Sequence, residues 1–471
     1  MKDIKLLIRS LLILLLAAII LLLPIGAALA LDFLPRRYDK TYYRALQDKY
    51  DRATSIEGEK IIVVGGSNIA FGIDSALIEE TLGTPCVNFG LYAALGLDYM
   101  LDLAEQAIGE GDTVVIIPEL DPQMYSSYFG SDAVLIATEG RLDMKAHTDL
   151  ADIPALIKAF PSYIIKKIGY LRSNSCPEPS DVYAYSSFDE RGDMIFVREE
   201  NIMDGAYKTD SRPSFDLDMI SEDFVSLING FTEKAVKRGA TVYFSFPPLD
   251  SLSVDATEEE IADFIAGLCD KLDCRVISSI ADRILDPGYF YDSNYHTNGR
   301  GETVNTVLLI NDLKRCRGDM SPTEIELPRP YDVEVELPGE ELEADGFRYT
   351  VSASGLSITG LSDEMKTKEE IAVPSSLSGY SVTKIADRAF DSCEAKKITF
   401  PSSVTTFGSA LFAGCEKLEE IVLPHTKLPS VGDSLLKDAP ESVTIWVDHD
   451  LYDYYLTDYF WMGYADNIKR K

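Results

Sequence analysis

Hydrophobic and polar positions alternate in blocks along most of this chain. Short apolar runs lie at 60–64 (KIIVV), 85–89 (PCVNF), 113–117 (TVVII), 241–246 (TVYFSF) and 274–277 (CRVI). Between them, stretches near 75–82, 97–109, 217–238, 257–271 and 300–314 carry apolar positions at helical spacing. Short apolar runs with hardly a polar break suit strands buried on both faces, and the intervening helices make parallel pairing the expectation. The expected fold class is α/β: a doubly wound, parallel five-stranded sheet over residues 59–318. The rhythm breaks over 123–216, which is rich in Tyr, Ser, Pro and Asp. Ninety or so residues are too many for a plain loop, so this insertion reads as a lid or substrate-facing subdomain.

Two further patterns flank that unit. Residues 10–31 (SLLILLLAAIILLLPIGAALAL) hold no charge, and Lys2, Lys5 and Arg9 precede them. At about 1.5 Å per residue they can cross a hydrocarbon core of about 30 Å. Residues 1–32 therefore read as a signal-anchor or transmembrane helix, with a cleavable signal ending at GAALA as the alternative. The unbroken length favours the anchor, which places everything after residue 32 on the extracytoplasmic side, or secreted if cleavage occurs. Residues 33–58 read as a polar, partly helical stalk.

Past residue 318 the chain turns Pro- and Glu-rich, a linker over 319–344, and then enters short β segments over 345–471. There IAVPSSLSGYSVTKIADRAFDSC, ITFPSSVTTFGSALFAGC and IVLPHTKLPSVGDSLLKDA repeat one another, starting at Ile371, Ile398 and Ile421. A period in the twenties is that of leucine-rich repeats, whose units form a stacked β solenoid. Cys393 and Cys415 fall at equivalent points of two units and read as core residues.

Charge narrows the partners. Seventy-seven acidic side chains against 44 basic ones leave a net charge of -33. Such a surface repels phosphate backbones, which excludes nucleic acid, and it argues against polybasic docking on anionic lipid. The seven cysteines form no CxxC pair and the four histidines join no Cys/His cluster, so no metal site and no cofactor are expected.

The candidate chemistry lies where the first apolar run ends, at Gly65-Gly66-Ser67-Asn68. A phosphate loop needs GxxxxGK[ST] or GxGxxG with a helix starting at the glycines, and GGSNIAFG matches neither. The expected helix cap is Asp74 or Ser75, too far on to lend its dipole. A nucleophilic serine instead needs a base and a group to orient that base. His296, with Asp292 four residues before it, sits at the entry to the last predicted helix. In a doubly wound sheet the first and last loops both open at the carboxyl edge, so the order Ser67, Asp292, His296 can converge there.

These blocks resemble the SGNH/GDSL hydrolase superfamily over residues 60–314, in particular the membrane-anchored esterase-like and acyl-transfer proteins of bacterial envelopes. The resemblance implies a flavodoxin-like sheet, Ser67 as nucleophile in the first block, and Gly90 (in VNFGLYAALG) as a backbone oxyanion donor. Asp292 and His296 would form the last block. Three departures stand out: Asn68 follows the serine, the Asp–His spacing has one residue more than DxxH, and Glu119 (in IIPELDPQ) replaces the GxND asparagine. A carboxylate repels a developing oxyanion, which leaves Asn68 or Asn88 to substitute as donor. The implied function is a serine O-acyl esterase or O-acyltransferase acting on a cell-envelope polysaccharide or acylated glycan. The alternative is a catalytically decayed surface-binding protein. The repeats, over 345–447, resemble BspA-type leucine-rich repeats of bacterial surface proteins, which implies display, adhesion and a protein partner.

Overall fold

The structure, a computed structural model, describes residues 26, 30–33, 35–179, 181–208, 211–333, 341–352, 355–432, 434–458 and 461–471. The expected membrane span falls almost entirely outside the described residues. Among those described, no helix is long and apolar enough to cross a membrane.

Residues 35–318 build a mixed α/β unit. In chain order its main elements are α1 (Ala45–Ser55), β1 (Ile61–Gly65), α2 (Ser67–Gly72), α3 (Ser75–Leu82), β2 (Cys86–Gly90), α4 (Leu97–Ala107) and β3 (Thr113–Ile117). Then come α5 (Ser131–Ala137), α6 (Ile153–Ser173), α7 (Glu222–Lys237), β4 (Thr241–Phe244), α8 (Glu258–Lys271) and β5 (Arg275–Val276). A short hairpin, β6 (Phe290–Ser293) and β7 (His296–Thr297), leads into α9 (Gly299–Cys316). The five strands pair in the order β2-β1-β3-β4-β5, all parallel.

Alternation along the strands explains why the sheet is covered twice. Ile62, Val64, Val114, Ile116, Val242 and Phe244 enter one core together with residues of α1, α4, α7 and α8. Ile61, Val63, Val115 and Ile117 enter a second core with α3 and α9. With both faces buried, the strands have no polar side to show, hence their near-continuous apolar runs. Local signals set the helix ends: Asp74 Oδ1 accepts the Leu77 N–H at 2.9 Å, Gly83 closes α3 at φ 66°, and Thr257 with Glu260 forms a capping box on α8.

Three expectations are corrected. Residues 33–58 are no stalk: Tyr42, Leu46, Ala45 and Ala53 are fully buried and join the main core, because Tyr42, Leu46, Tyr50 and Ala53 share one helical face. A helix does begin at the serine, since α2 starts at Ser67 itself, with α3 following at the expected Asp74 cap. The repeats also extend beyond three units.

Residues 341–471 hold a separate apolar core. An antiparallel pair, β8 (Phe347–Ser352) and β9 (Gly355–Leu361), leads into the stack. Five parallel strands follow: β10 (Glu370–Ala372), β11 (Lys397–Thr399), β12 (Glu420–Leu423), β13 (Thr444–Val447) and β14 (Ile468–Arg470). Ile371, Ile398, Ile421, Ile445 and Ile468 sit in one register and are all buried. The last two rungs escaped the sequence reading because Asp448 and Lys471 stand where Pro374, Pro401 and Pro424 made the first three look alike. Cys393 and Cys415 are both buried, with sulfurs 3.3 Å apart on neighbouring turns.

Candidate functional site

The carboxyl ends of β1, β2 and β3 meet the β6–β7 hairpin around Ser67. Asn298 fixes the hairpin's exit. Its side chain accepts from the Arg300 and Gly301 N–H groups at the start of α9 and donates to the Gly288 and Phe290 carbonyls. That cap holds His296, two residues earlier, over α2. The imidazole stacks on Phe71 with ring centroids 4.0 Å apart and an 8° interplanar angle.

Ser67, His296 and Asp292 come together. Ser67 Oγ lies 2.7 Å from His296 Nε2, and His296 Nδ1 lies 2.6 Å from Asp292 Oδ1. The extra residue between Asp292 and His296 is absorbed by a register shift within the hairpin. Burial works to raise the Asp292 pKa, but His296, Lys208 and a hydrogen bond from Tyr183 outweigh it and hold the carboxyl below its usual value. The Tyr183 hydroxyl donates to Asp292 Oδ2 at 2.7 Å. Tyr183 belongs to the 123–216 insertion. Sequence reading missed it, because one tyrosine in a Tyr-rich stretch carries no mark of its partner 109 residues away.

Glu119 completes the cluster. Its Oε1 accepts the Asn68 N–H at 2.9 Å and lies 2.8 Å from Ser67 Oγ. The carboxylate thus caps the N-terminus of α2 from a distant strand end, a role for which Gly66, the residue before the helix, has no side chain. Gly66 leaves room for it: a Cβ there would sit 2.9 Å from Glu119 Oε1 and push the carboxylate aside. Gly66 thus admits the carboxylate to the backbone, while Gly65 faces the Ile117 carbonyl, 2.3 Å from where a Cβ would sit.

Hydrogen-bond inventory sharpens what this arrangement does. A serine hydroxyl has one proton to donate. If it goes to Glu119, then Nε2 of His296 must donate to Ser67; if it goes to Nε2, Glu119 must be the donor. Transfer of the Ser67 proton to His296 therefore requires Glu119 to be protonated or to swing away.

The remaining candidates are held by internal bonds. Asn88 Nδ2 donates to the Ile69 and Ile73 carbonyls, at 3.0 and 2.8 Å, which uses both amide hydrogens. The Gly90 N–H donates to Asn88 Oδ1 at 3.3 Å, and Asn68 Nδ2 donates to the Ile117 carbonyl at 3.0 Å. Lys49, fully buried, donates to the Asn88 carbonyl, and burial pulls its pKa down to about 8. Beside these donors, the Ser67 backbone N–H has no partner among the described residues. Ser67 and His296 are both buried, at 6 % and 8 % exposure. Among the described residues no group of three or more His, Cys, Asp or Glu side chains could hold a metal ion.

Comparison with known proteins bears on the other half of the molecule. No curated protein matches the chain. Two solved structures are similar to part of the chain at low identity. A leucine-rich repeat protein from Bacteroides capillosus is 20 % identical over 23 % of this chain and 70 % of its own, with a TM-score of 0.16. The T. pallidum leucine-rich repeat protein is 23 % identical over 24 % of this chain and 66 % of its own, with a TM-score of 0.17. Residues 367–452 match, in six copies, the BspA type leucine rich repeat region, and that is the family statement this chain supports.

Proposed function

We propose that this protein is an extracytoplasmic, membrane-anchored serine O-acyl esterase or O-acyltransferase of SGNH-like design, working on a cell-surface glycan and carrying a BspA-type repeat region. One observation carries the proposal: Ser67 Oγ, the two ring nitrogens of His296 and Asp292 Oδ1 form an unbroken relay at 2.7 and 2.6 Å. The strand order of the sheet is that of flavodoxin-like folds, which supports the SGNH-like reading. With Glu119 protonated or swung away, Ser67 Oγ would bond to the acyl carbon while its proton passes to His296 Nε2. The sugar oxygen would leave with that proton, and water or a second hydroxyl would then release the acyl group by the reverse path. The Ser67 backbone N–H, with Gly90 once freed from Asn88, would face the oxyanion.

A second reading has its own observation. Glu119 occupies Ser67 and the Asn68 N–H, where an active hydrolase would present donors. This favours a decayed, non-catalytic α/β unit beside a binding surface, and the repeat match names an architecture and no chemistry. Treatment of the full chain with a fluorophosphonate probe, beside Ser67→Ala, separates the two. Labelling of the wild type alone supports the esterase. A folded chain that stays unlabelled from pH 5 to 9 supports the binding protein.

A further inference from the structure

The helix α6 presents two unlike faces. Its inner face packs Tyr163, Ile164 and Tyr170 against Tyr38 and Leu135. It also clamps the chain at Asp32, which is 1 % exposed. The Tyr163 hydroxyl donates to Asp32 Oδ1 at 2.9 Å, Lys167 Nζ donates to the Asp32 carbonyl at 2.9 Å, and Lys145 Nζ lies 3.0 Å from Oδ2. The outer face is apolar and open. Ile153, Ile157, Pro161 and Ile165 follow one another at intervals of four residues, so they form one stripe. Ile157 and Ile165 are 67 % and 69 % exposed, and Leu150, just before the helix, is 82 % exposed. A solvated helix of a soluble unit places polar residues on that side.

Charge along α6 departs from the rest of the molecule. Residues 153–177 contain Lys158, Lys166, Lys167 and Arg172 and not one Asp or Glu, in a chain with 77 acidic residues. Lys158, Lys166 and Arg172 have no ion-pair partner among the described residues. An apolar stripe edged by lysine and arginine on a 21-residue helix suits the plane between lipid headgroups and acyl chains.

Position selects the occupant. The uncharged segment 10–31 ends one residue before the clamp, so α6 holds the chain at the point where that segment stops. We infer that α6 is an interfacial helix: its Ile153/Ile157/Pro161/Ile165 face lies in the surface of the bilayer that segment 10–31 enters, with Lys158, Lys166 and Arg172 on anionic headgroups. The inference rests on the anchor part of the proposed function and is independent of the chemistry at Ser67. The helix fixes the α/β unit against the membrane.

The test uses the full chain in vesicles of phosphatidylcholine and phosphatidylglycerol, with brominated acyl chains as quenchers of tryptophan. Ile157→Trp and Ile165→Trp are compared with Val236→Trp, an exposed position on α7, and with the unmodified chain. The added fluorescence of the two α6 variants should be quenched about twofold or more, as for a ring in the acyl boundary, and that of Val236→Trp should not. Chain that does not float with the vesicles overturns the anchor reading and the inference with it. Chain that floats, with α6 tryptophans no more quenched than Val236→Trp, overturns the inference alone. Blue-shifted α6 emission without bromolipid quenching assigns the face to a protein neighbour and equally overturns it.

Discussion

The two halves of this molecule bury different things. In the repeat region the core is almost wholly apolar, and each rung repeats its neighbour: Ile371, Ile398, Ile421, Ile445 and Ile468 are stacked side chains at one register. In the α/β unit the buried set includes Lys49, Glu119, Asp250, His296 and Asp312, each held by specific partners or left in tension with its surroundings. An apolar stack needs size and periodicity. A buried polar cluster needs particular atoms within about 3 Å of each other, and each lost partner costs its full desolvation. The contrast teaches which half tolerates substitution. The repeats can vary in sequence and keep their shape, whereas the cluster around Ser67 cannot.

Substitutions in each half should therefore read out differently. The largest effect is expected at the relay. Asp292→Asn should cut the rate of fluorophosphonate labelling by about 10³–10⁴-fold, since the amide leaves His296 in the wrong tautomer, while thermal unfolding of the repeats stays unchanged. Unaltered labelling would break the comparison by showing that Ser67 does not depend on the relay. In the other half, Phe400→Ala removes a ring packed edge-on against Phe390, Phe407 and Phe412. It should cost the repeats about 3–5 kcal/mol in denaturant unfolding and leave labelling intact.

Asp250 tests buried charge away from the site. Burial, with the nearby Asp286 charge, pushes its pKa up to about 7, against an Leu252 N–H bond that works the other way. A carboxyl raised on folding binds its proton more tightly in the native state, so stability is lost as pH rises from about 4 through 7. Asp250→Asn should thus add about 2–4 kcal/mol at pH 8 and progressively less toward pH 4, as read by urea titrations at both pH values.

A smaller change decides between the two functional readings. Glu119→Gln replaces the negative charge beside Ser67 with an amide able to donate. Labelling should rise about 10- to 100-fold if the serine is active but restrained, and stay absent if the unit is decayed. The smallest effect is set by the insertion. Tyr183→Phe removes the hydrogen bond to Asp292, costing about 1 kcal/mol and slowing labelling about fivefold. Its size measures how far the 123–216 segment takes part in the site.

Legibility in the sequence follows the same divide. The five sheet strands and five of the helices follow from local period, and Asp74, Ser221 and Thr257 mark helix starts with their own side chains. The repeats were visible as long as the proline after each strand recurred, and the last two rungs were hidden when Asp448 and Lys471 took its place. The start of α2 was not visible, because its cap is Glu119, 51 residues beyond the Asn68 N–H it accepts. Burial of Tyr42, Leu46, Tyr50 and Ala53 was masked by charged neighbours around one apolar face.

What the amino-acid sequence determined by itself is thus the α/β alternation, the repeat period, and the residue types Ser67, Asp292 and His296 at the ends of elements. Period and capping act over three or four residues, so they are written locally. What only the tertiary structure decided is which polar groups meet. It put Tyr183 on Asp292, turned Asn88 away into the Ile69 and Ile73 carbonyls, and set Glu119 on Ser67. Those contacts join groups from 15 to 109 residues apart that close over one sheet edge, and no local pattern encodes which of them meet.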